Sequence, residues 1–269
     1  MPAGLDQIVS ATRRRIAREK AEADLRKLEA QAQGYSPRGF RRQLVTAASS
    51  GIAVIAELKK ASPSRGLIRA DFDPAVLAQE LQRAGASALS VLTEEDFFQG
   101  SLHNLRIASA STHLPCLRKD FIMTEFQLLQ ARAFCADAVL LIVAALAQDE
   151  LKALVRGSRE LSLDVLCEAH DDTELERALD AGCDLIGINN RDLRTFKVNL
   201  ETSLRLAPLI PKHVVSVAES GIRDGADIGR LRAAGYQAFL IGESLMQAAT
   251  PGEALRNLLT ETVTARASD

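Results

Sequence analysis

The chain has 269 residues, 47% of them apolar, and 33 Lys and Arg against 35 Asp and Glu, for a formal charge of −2. That apolar share fills a sizeable core, while the near-balance of charge offers no electrostatic basis for binding nucleic acid or an anionic membrane. No stretch approaches the roughly 18 apolar residues of a membrane-spanning helix, and the start is charged rather than a signal core, so membrane partners and export are not expected.

Residues Leu5 to Gln33 are dense in Arg, Lys, Glu and Ala, with Leu5, Ile8, Val9, Ile16, Leu25 and Leu28 at loosely helical spacing. One amphipathic helix or two, ending near Gly34, is predicted. Glu19, Glu22 and Asp24 follow Arg13, Arg14 and Arg15 closely, so the basic cluster reads as a solvated helix face. A connector from Tyr35 to Gly51 holds a short helix near residues 39–48. Residues 1–50 are thus expected as a helical extension packed on a main body of residues 51–269.

An internal repeat follows. Ala84-Gly85, Ala181-Gly182 and Ala234-Gly235 each close a helical pattern and precede an apolar strand, with Cys135-Ala136 a weaker copy. Glycine suits a left-handed helix C-cap. The anchors 85, 135, 182 and 235 lie 50, 47 and 53 residues apart, and one βα unit needs about 25 to 35 residues, so each interval holds two units. Strands are therefore predicted near 53–58, 88–92, 115–118, 138–142, 163–167, 185–189, 214–218 and 238–241. Asp73-Pro74 supplies a helix start with proline at the first position, Thr124-x-x-Gln127 a capping-box pattern and Thr173 to Glu176 an acidic first turn. Eight βα units predict a (β/α)8 TIM barrel with an N-terminal helical extension; a doubly wound open sheet is the alternative.

Cys116, Cys135, Cys167 and Cys183 lie in or beside apolar segments without C-x-x-C spacing. They read as reduced core residues, which with the absent signal segment points to the cytoplasm.

In a TIM barrel, functional groups collect at the C-terminal ends of the strands. Here strands 1, 3, 5 and 7 run into Glu57 with Lys59, Lys119, Glu168 and Glu219. Glu57 and Lys59 are two apart and share one side of their strand. Buried charges of both signs shift one another's pKa values, which suits general acid and base roles. A structural ion-pair network is the alternative, although such networks rarely stabilise more than apolar packing does.

A second group suits phosphate. Ser220-Gly221 follows strand 7 and Gly242-Glu243 follows strand 8, where barrels commonly cradle phosphate on backbone N–H groups and a helix N-terminus. Ser62, in the loop after strand 1, can add a hydroxyl. The carboxylate of Glu243 repels a phosphate unless it points away. Asn189 and Arg191, at the end of strand 6, suit a hydroxyl or an anion, and Phe98 and Phe121, beyond strands 2 and 3, an aromatic ring. The four His are scattered without metal-ligand spacing, and there is no dinucleotide or P-loop motif, so neither metal nor cofactor is expected.

Six motifs in order then carry a family resemblance: Ala56-Glu-Leu-Lys-Lys-Ala-Ser-Pro-Ser64, Thr93-Glu-Glu-Asp-Phe-Phe-Gln-Gly-Ser101, Lys119-Asp-Phe121, Gly187-Ile-Asn-Asn-Arg-Asp-Leu193, Val217-Ala-Glu-Ser-Gly221 and Ile241-Gly-Glu-Ser-Leu-Met246. Through them the chain resembles the indole-3-glycerol phosphate synthases of tryptophan biosynthesis. The resemblance implies closure of an indole ring on 1-(2-carboxyphenylamino)-1-deoxyribulose 5-phosphate, with loss of carbon dioxide and water and without cofactor or metal. It implies Lys119 as the acid on the ketone, Lys59 at the carboxylate or the dehydration, and Glu57 and Glu168 as base or acid. Asn189 and Glu219 orient the sugar-derived chain and the lysines. Ser62, Ser220, Gly221, Gly242 and Glu243 meet the phosphate with Arg191 nearby, and Phe98 and Phe121 meet the ring. Some family members carry serine at the position of Glu243 and a second basic residue at that of Ala61. The partner implied is a small phosphorylated substrate, in a monomer or weak homo-oligomer. A Schiff-base aldolase using Lys119, or a non-catalytic phosphate binder, is the competing expectation.

Overall fold

The computed structural model describes residues 4–266. Eight parallel strands, β1 (Ala53–Leu58), β2 (Ala88–Leu92), β3 (Cys116–Lys119), β4 (Ala138–Ile142), β5 (Asp164–Ala169), β6 (Leu185–Asn189), β7 (Val215–Glu219) and β8 (Ala238–Ile241), close into a barrel in sequence order. β8 pairs β1 through Ala53 with Ala238 and Ala56 with Ile241, which rules out the open sheet. All eight strands fall within two residues of their expected positions.

Side-chain alternation divides each strand between two cores. Val54, Ala56, Leu89, Val91, Val139, Leu141, Ile186 and Ile188 face outward to the helices. Ala53, Ile55, Leu117, Leu140, Leu166, Leu185, Val215, Val217 and Leu240 fill the barrel. Strand and helix alternate through α4 (Pro74–Arg83), α5 (Leu102–Ala110), α6 (Glu125–Ala133), α7 (Gln148–Glu160), α8 (Asp172–Asp180), α9 (Glu201–Leu206) and α10 (Gly225–Ala233), and the chain ends in α11 (Glu243–Gln247) and α12 (Pro251–Arg266). Asp73 caps α4 by accepting from the N–H groups of Ala75 and Val76 at 2.9 and 3.1 Å, ahead of Pro74. The repeated turn is left-handed at Gly85 (φ 101°), Gly182 (φ 78°) and Gly235 (φ 110°), and Cys135, the weaker copy, adopts it too (φ 66°).

One expected cap forms differently. Thr124 makes no side-chain cap to α6. The fully buried Gln127 instead accepts from the Met123 N–H and donates to the Phe121 carbonyl, both at 2.9 Å. Gln127 thereby ties down the loop leaving Lys119 rather than closing a box with Thr124.

The N-terminal segment forms α1 (Leu5–Glu22), α2 (Leu25–Gln33) and α3 (Phe40–Ser50). The break between the first two is set by Asp24, whose carboxylate accepts from the Lys27 N–H at 3.1 Å. Phe40 and Leu44 of α3 are fully buried against the first inward residues of the strands, including Ala53, Ala138 and Ala238, so α3 floors the N-terminal mouth. Tyr35 and Arg38, on the connector before it, bind the buried Asp137 just ahead of β4. At the other mouth, Leu5 and Ile8 of α1 line the central cavity.

Two expectations are corrected. Arg13 and Arg14 are exposed, but Arg15 is buried, because helical spacing places it with Ile8, Thr12 and Ile16 on the face turned to the barrel. The cysteines are not all reduced: Cys167 and Cys183 are joined by a disulfide across a Cα separation of 6.5 Å, while Cys116 and Cys135 are free. Cys167 points outward from β5 toward the turn that leads into β6, a pairing that close spacing along the chain does not signal. Among the described residues no helix is long and apolar enough to cross a membrane.

Candidate active site

The inward rows that fill the barrel with aliphatic residues end in charge. Ile55 is followed two residues later by Glu57, Leu117 by Lys119, Leu166 by Glu168 and Val217 by Glu219. The period of the strand therefore raises four ionisable groups into one layer above the apolar core, and Gly187 followed by Asn189 continues it on β6. A cavity of about 770 Å³ opens there, lined by all fourteen residues expected at the site: Glu57, Lys59, Ser62, Phe98, Lys119, Phe121, Glu168, Asn189, Arg191, Glu219, Ser220, Gly221, Gly242 and Glu243.

Lys119 is at its centre. Its ammonium donates to Glu168 Oε2 and Glu219 Oε2, both at 2.8 Å, and Lys59 donates to Glu57 Oε1 at 2.6 Å. Burial alone would lower the pKa of Lys119, but the charges of Glu168, Glu219 and Glu57 outweigh it and hold the amine protonated. The two carboxylates on the one lysine divide. Burial favours the neutral form of Glu168, yet Lys119 and His170, with a hydrogen bond from Asn189, push it down to about 2. Glu219 is pushed up to about 7, by burial first, against Lys119 and with the charge of Glu168 adding to the rise. The surroundings thus push the two carboxylates in opposite directions, the kind of separation that lets two like groups play different roles.

Two glycines make room for this layer. A side chain at Gly187 would meet Glu219 Oε1, and one at Gly242 would meet Glu57 Oε1. Gly242 thus has a steric duty to Glu57 besides its place on the cavity wall. Ser220 and Gly221 are consecutive left-handed residues (φ 66° and 81°) that turn the chain sharply off β7.

Glu243 does not point away. Its carboxylate accepts from Arg191 Nη2 at 3.1 Å and Arg65 Nε at 2.8 Å, so it neutralises the cations on its side of the cavity. Across the cavity the rings of Phe98 and Phe121 lie 6.3 Å apart, tilted by 42°. Asn190 is structural: buried, it donates to the carbonyls of Glu219 and Ser220 and accepts from the Ser203 N–H.

Sequence reasoning missed several contributors. Arg65 was visible in the loop after β1, but its partner is 178 residues away. His170 shares the inward parity of Glu168 and sits 3.5 Å from Glu168 Oε1, with its other nitrogen on Glu174 at 2.9 Å. Leu5 and Ile8 carried only a helix signal. Among the described residues no group of three His, Cys, Asp or Glu side chains is placed to hold a metal ion.

The chain is 55% identical to the indole-3-glycerol phosphate synthase of Koribacter versatilis (strain Ellin345), over 96% of this chain and all of that one. It is 47% identical to that of Chlorobium chlorochromatii (strain CaD3), over 90% of this chain and 94% of the relative. Among solved structures, 3-hexulose-6-phosphate synthase from Salmonella typhimurium matches with a TM-score of 0.64 at 13% identity, over 79% of this chain and 99% of that one, which is a likeness of barrel fold alone. The sequence profile of indole-3-glycerol phosphate synthase matches residues 5–258, and the chain belongs to that family.

Proposed function

We infer that the protein closes the indole ring of 1-(2-carboxyphenylamino)-1-deoxyribulose 5-phosphate, releasing carbon dioxide and water to give indole-3-glycerol phosphate. The observation that carries this reading is the Lys119 ammonium held between Glu168 and Glu219, in a cavity with an aromatic wall at one side and arginines at the other. The ring carbon bearing the carboxylate attacks the ketone carbon, and Lys119 protonates the ketone oxygen as the new carbon–carbon bond forms. Loss of carbon dioxide restores the aromatic ring. The resulting hydroxyl then leaves as water and the adjacent ring carbon gives up a proton. Lys59 and Glu57, already hydrogen-bonded, are the acid and base assigned to that second stage, with Glu168 as the ionised carboxylate that accepts from the Lys119 ammonium and holds it at the ketone oxygen. Asn189 and Glu219 orient the sugar-derived chain. Each proton-transfer group contributes about 10²–10⁴ in rate, and fixed charges in a partly dry cavity stabilise the developing alkoxide.

The same electrostatics weigh against a Schiff-base aldolase. That chemistry needs a neutral amine, obtained by depressing the lysine pKa, whereas the carboxylates here raise that of Lys119. The cytoplasm remains the proposed compartment on the strength of the biosynthetic reaction alone, since two of the four cysteines that pointed there are paired. Formation of indoleglycerol phosphate, followed by fluorescence in buffer with EDTA, tests the function directly. Well-folded protein that gives no product would return the site to a phosphate binder or another barrel reaction.

The phosphate is assigned to Ser62, Ser220, Gly221, Gly242, the Glu243 backbone N–H and Arg191. Glu243 then acts as an internal counter-ion that the phosphate must displace. Its pairs are partly exposed, with Arg65 60% accessible, so each contributes roughly 0.2–1 kcal/mol. Glu243→Ser is expected to tighten inhibition by inorganic phosphate by about two- to fivefold with kcat little changed. Weaker inhibition would mean that the carboxylate holds the arginines in place for the substrate instead of competing with it.

A further inference from the structure

Arg15 is the one member of the basic cluster that the barrel buries, and its partners lead to the ring end of the site. Its Nη1 lies 3.5 Å from Glu94 Oε1, its Nη2 3.4 Å from Asp120 Oδ1 and its Nε 3.4 Å from Glu19 Oε1. The side chains of Glu94 and Asp120 are fully inaccessible and that of Arg15 is 7% accessible. Glu94, just beyond β2, gathers three successive backbone donors: the N–H groups of Asp96 at 3.1 Å, Phe97 at 2.7 Å and Phe98 at 3.1 Å. One carboxylate thus sets the turn that presents Phe98. Asp120, between Lys119 and Phe121, accepts from the Phe121 N–H at 2.9 Å, from Thr93 Oγ1 at 2.6 Å and from Arg118 Nη2 at 2.9 Å. The guanidinium therefore joins the loop carrying Phe98 to the loop carrying Phe121.

We propose that Arg15 is a positioning residue for the aromatic-ring end of the site: through Glu94 and Asp120 it holds Phe98 and Phe121 at the separation that receives the ring. The proposal rests on the assignment of those two rings to the aromatic part of the substrate. Its charge logic is specific. Glu94 and Asp120 are buried acids on adjacent loops, and without a shared cation they repel across the gap they now bridge. Burial raises Asp120, but Arg118 and Arg15 together hold it below the ordinary range. Burial also raises Glu94, opposed by the Phe97 N–H and by Arg15. The same helix face carries Ile8, two turns earlier, onto the cavity. Helix α1 thus contributes both a direct apolar contact and, through Arg15, the placement of the wall opposite the phosphate.

The test is steady-state kinetics on full-length Arg15→Gln, Arg15→Lys and Phe121→Ala, with inhibition by inorganic phosphate as a second readout. Arg15→Gln is expected to raise KM for the carboxyphenylamino substrate by about tenfold, with a smaller fall in kcat and phosphate inhibition unchanged. Arg15→Lys keeps the charge but loses the fork, and falls between. An unchanged KM with only a lower melting temperature makes Arg15 a structural clamp and overturns the proposal. Should Arg15→Gln fail to fold, the same comparison on Arg15→Lys decides it, a raised KM supporting the proposal and an unchanged one overturning it. If Phe121→Ala itself leaves KM unchanged, the assignment of the aromatic wall has failed, an outcome distinct from a silent Arg15 beside a sensitive Phe121.

Discussion

Lys119→Ala protein is expected to fold and to turn over at least about 10²-fold more slowly than the parent. Among the described residues the lysine is the sole cation ion-paired with both Glu168 and Glu219. Lys59 is committed to Glu57 at 2.6 Å. Loss of the cation need not strand two buried negative charges, because burial and the charge of Glu168 already raise Glu219 and two close carboxyls can share one proton. The barrel therefore survives while the acid is lost. Turnover measured beside circular dichroism separates these effects, and near-parental turnover would remove Lys119 from the chemistry. Borohydride with substrate adds a second arm: a covalent adduct on Lys119 in the parent protein would revive the Schiff-base reading.

The largest effect on stability is expected at the opposite end of the barrel. Asp137 has no accessible side-chain surface, yet it receives the Tyr35 hydroxyl at 2.8 Å, the Arg38 N–H at 2.6 Å, the Arg38 guanidinium at 2.7 Å and the Cys116 N–H at 2.6 Å. It fastens the segment ahead of α3 to the foot of β3 and β4. Asp137→Ala leaves a partly buried guanidinium and several donors unmatched, which costs about 3–5 kcal/mol for a broken buried pair. A lower midpoint in urea unfolding, with kcat per folded molecule unchanged, is the expected pattern. A loss below about 1 kcal/mol would show that water replaces the carboxylate at this foot.

The barrel and the charged layer at its mouth were legible because each follows from a period in the sequence. Once the repeats at Gly85, Gly182 and Gly235 set the strand count, the two-residue alternation carried Ile55 to Glu57, Leu117 to Lys119 and Val217 to Glu219 without three-dimensional information. What escaped were pairings between residues far apart in sequence. Arg15 meets Glu94 and Asp120 across 79 and 105 residues, and Arg65 meets Glu243 across 178. A basic triplet with acids following it has the composition of a solvated face, and only the rotation of α1 against the barrel sets Arg15 apart from Arg13 and Arg14. Glu243 posed the same difficulty: its charge argued against a phosphate, and the arginines that balance it were not visible as its partners. The disulfide between Cys167 and Cys183 escaped for another reason: its cysteines are only 16 residues apart, but their spacing matches no paired-cysteine motif.

The segment that runs from the roof of the barrel to its floor also sets a timetable for synthesis. Residues 5–50 leave the ribosome ahead of the barrel, when almost nothing they bind yet exists. Arg41 waits for the Asp164 carboxylate and for the carbonyl of His213, Phe40 and Leu44 wait for Ala238, and Arg15 waits for Asp120. A segment made ahead of the barrel therefore gains its buried partners only after the strands and loops that carry them have been made.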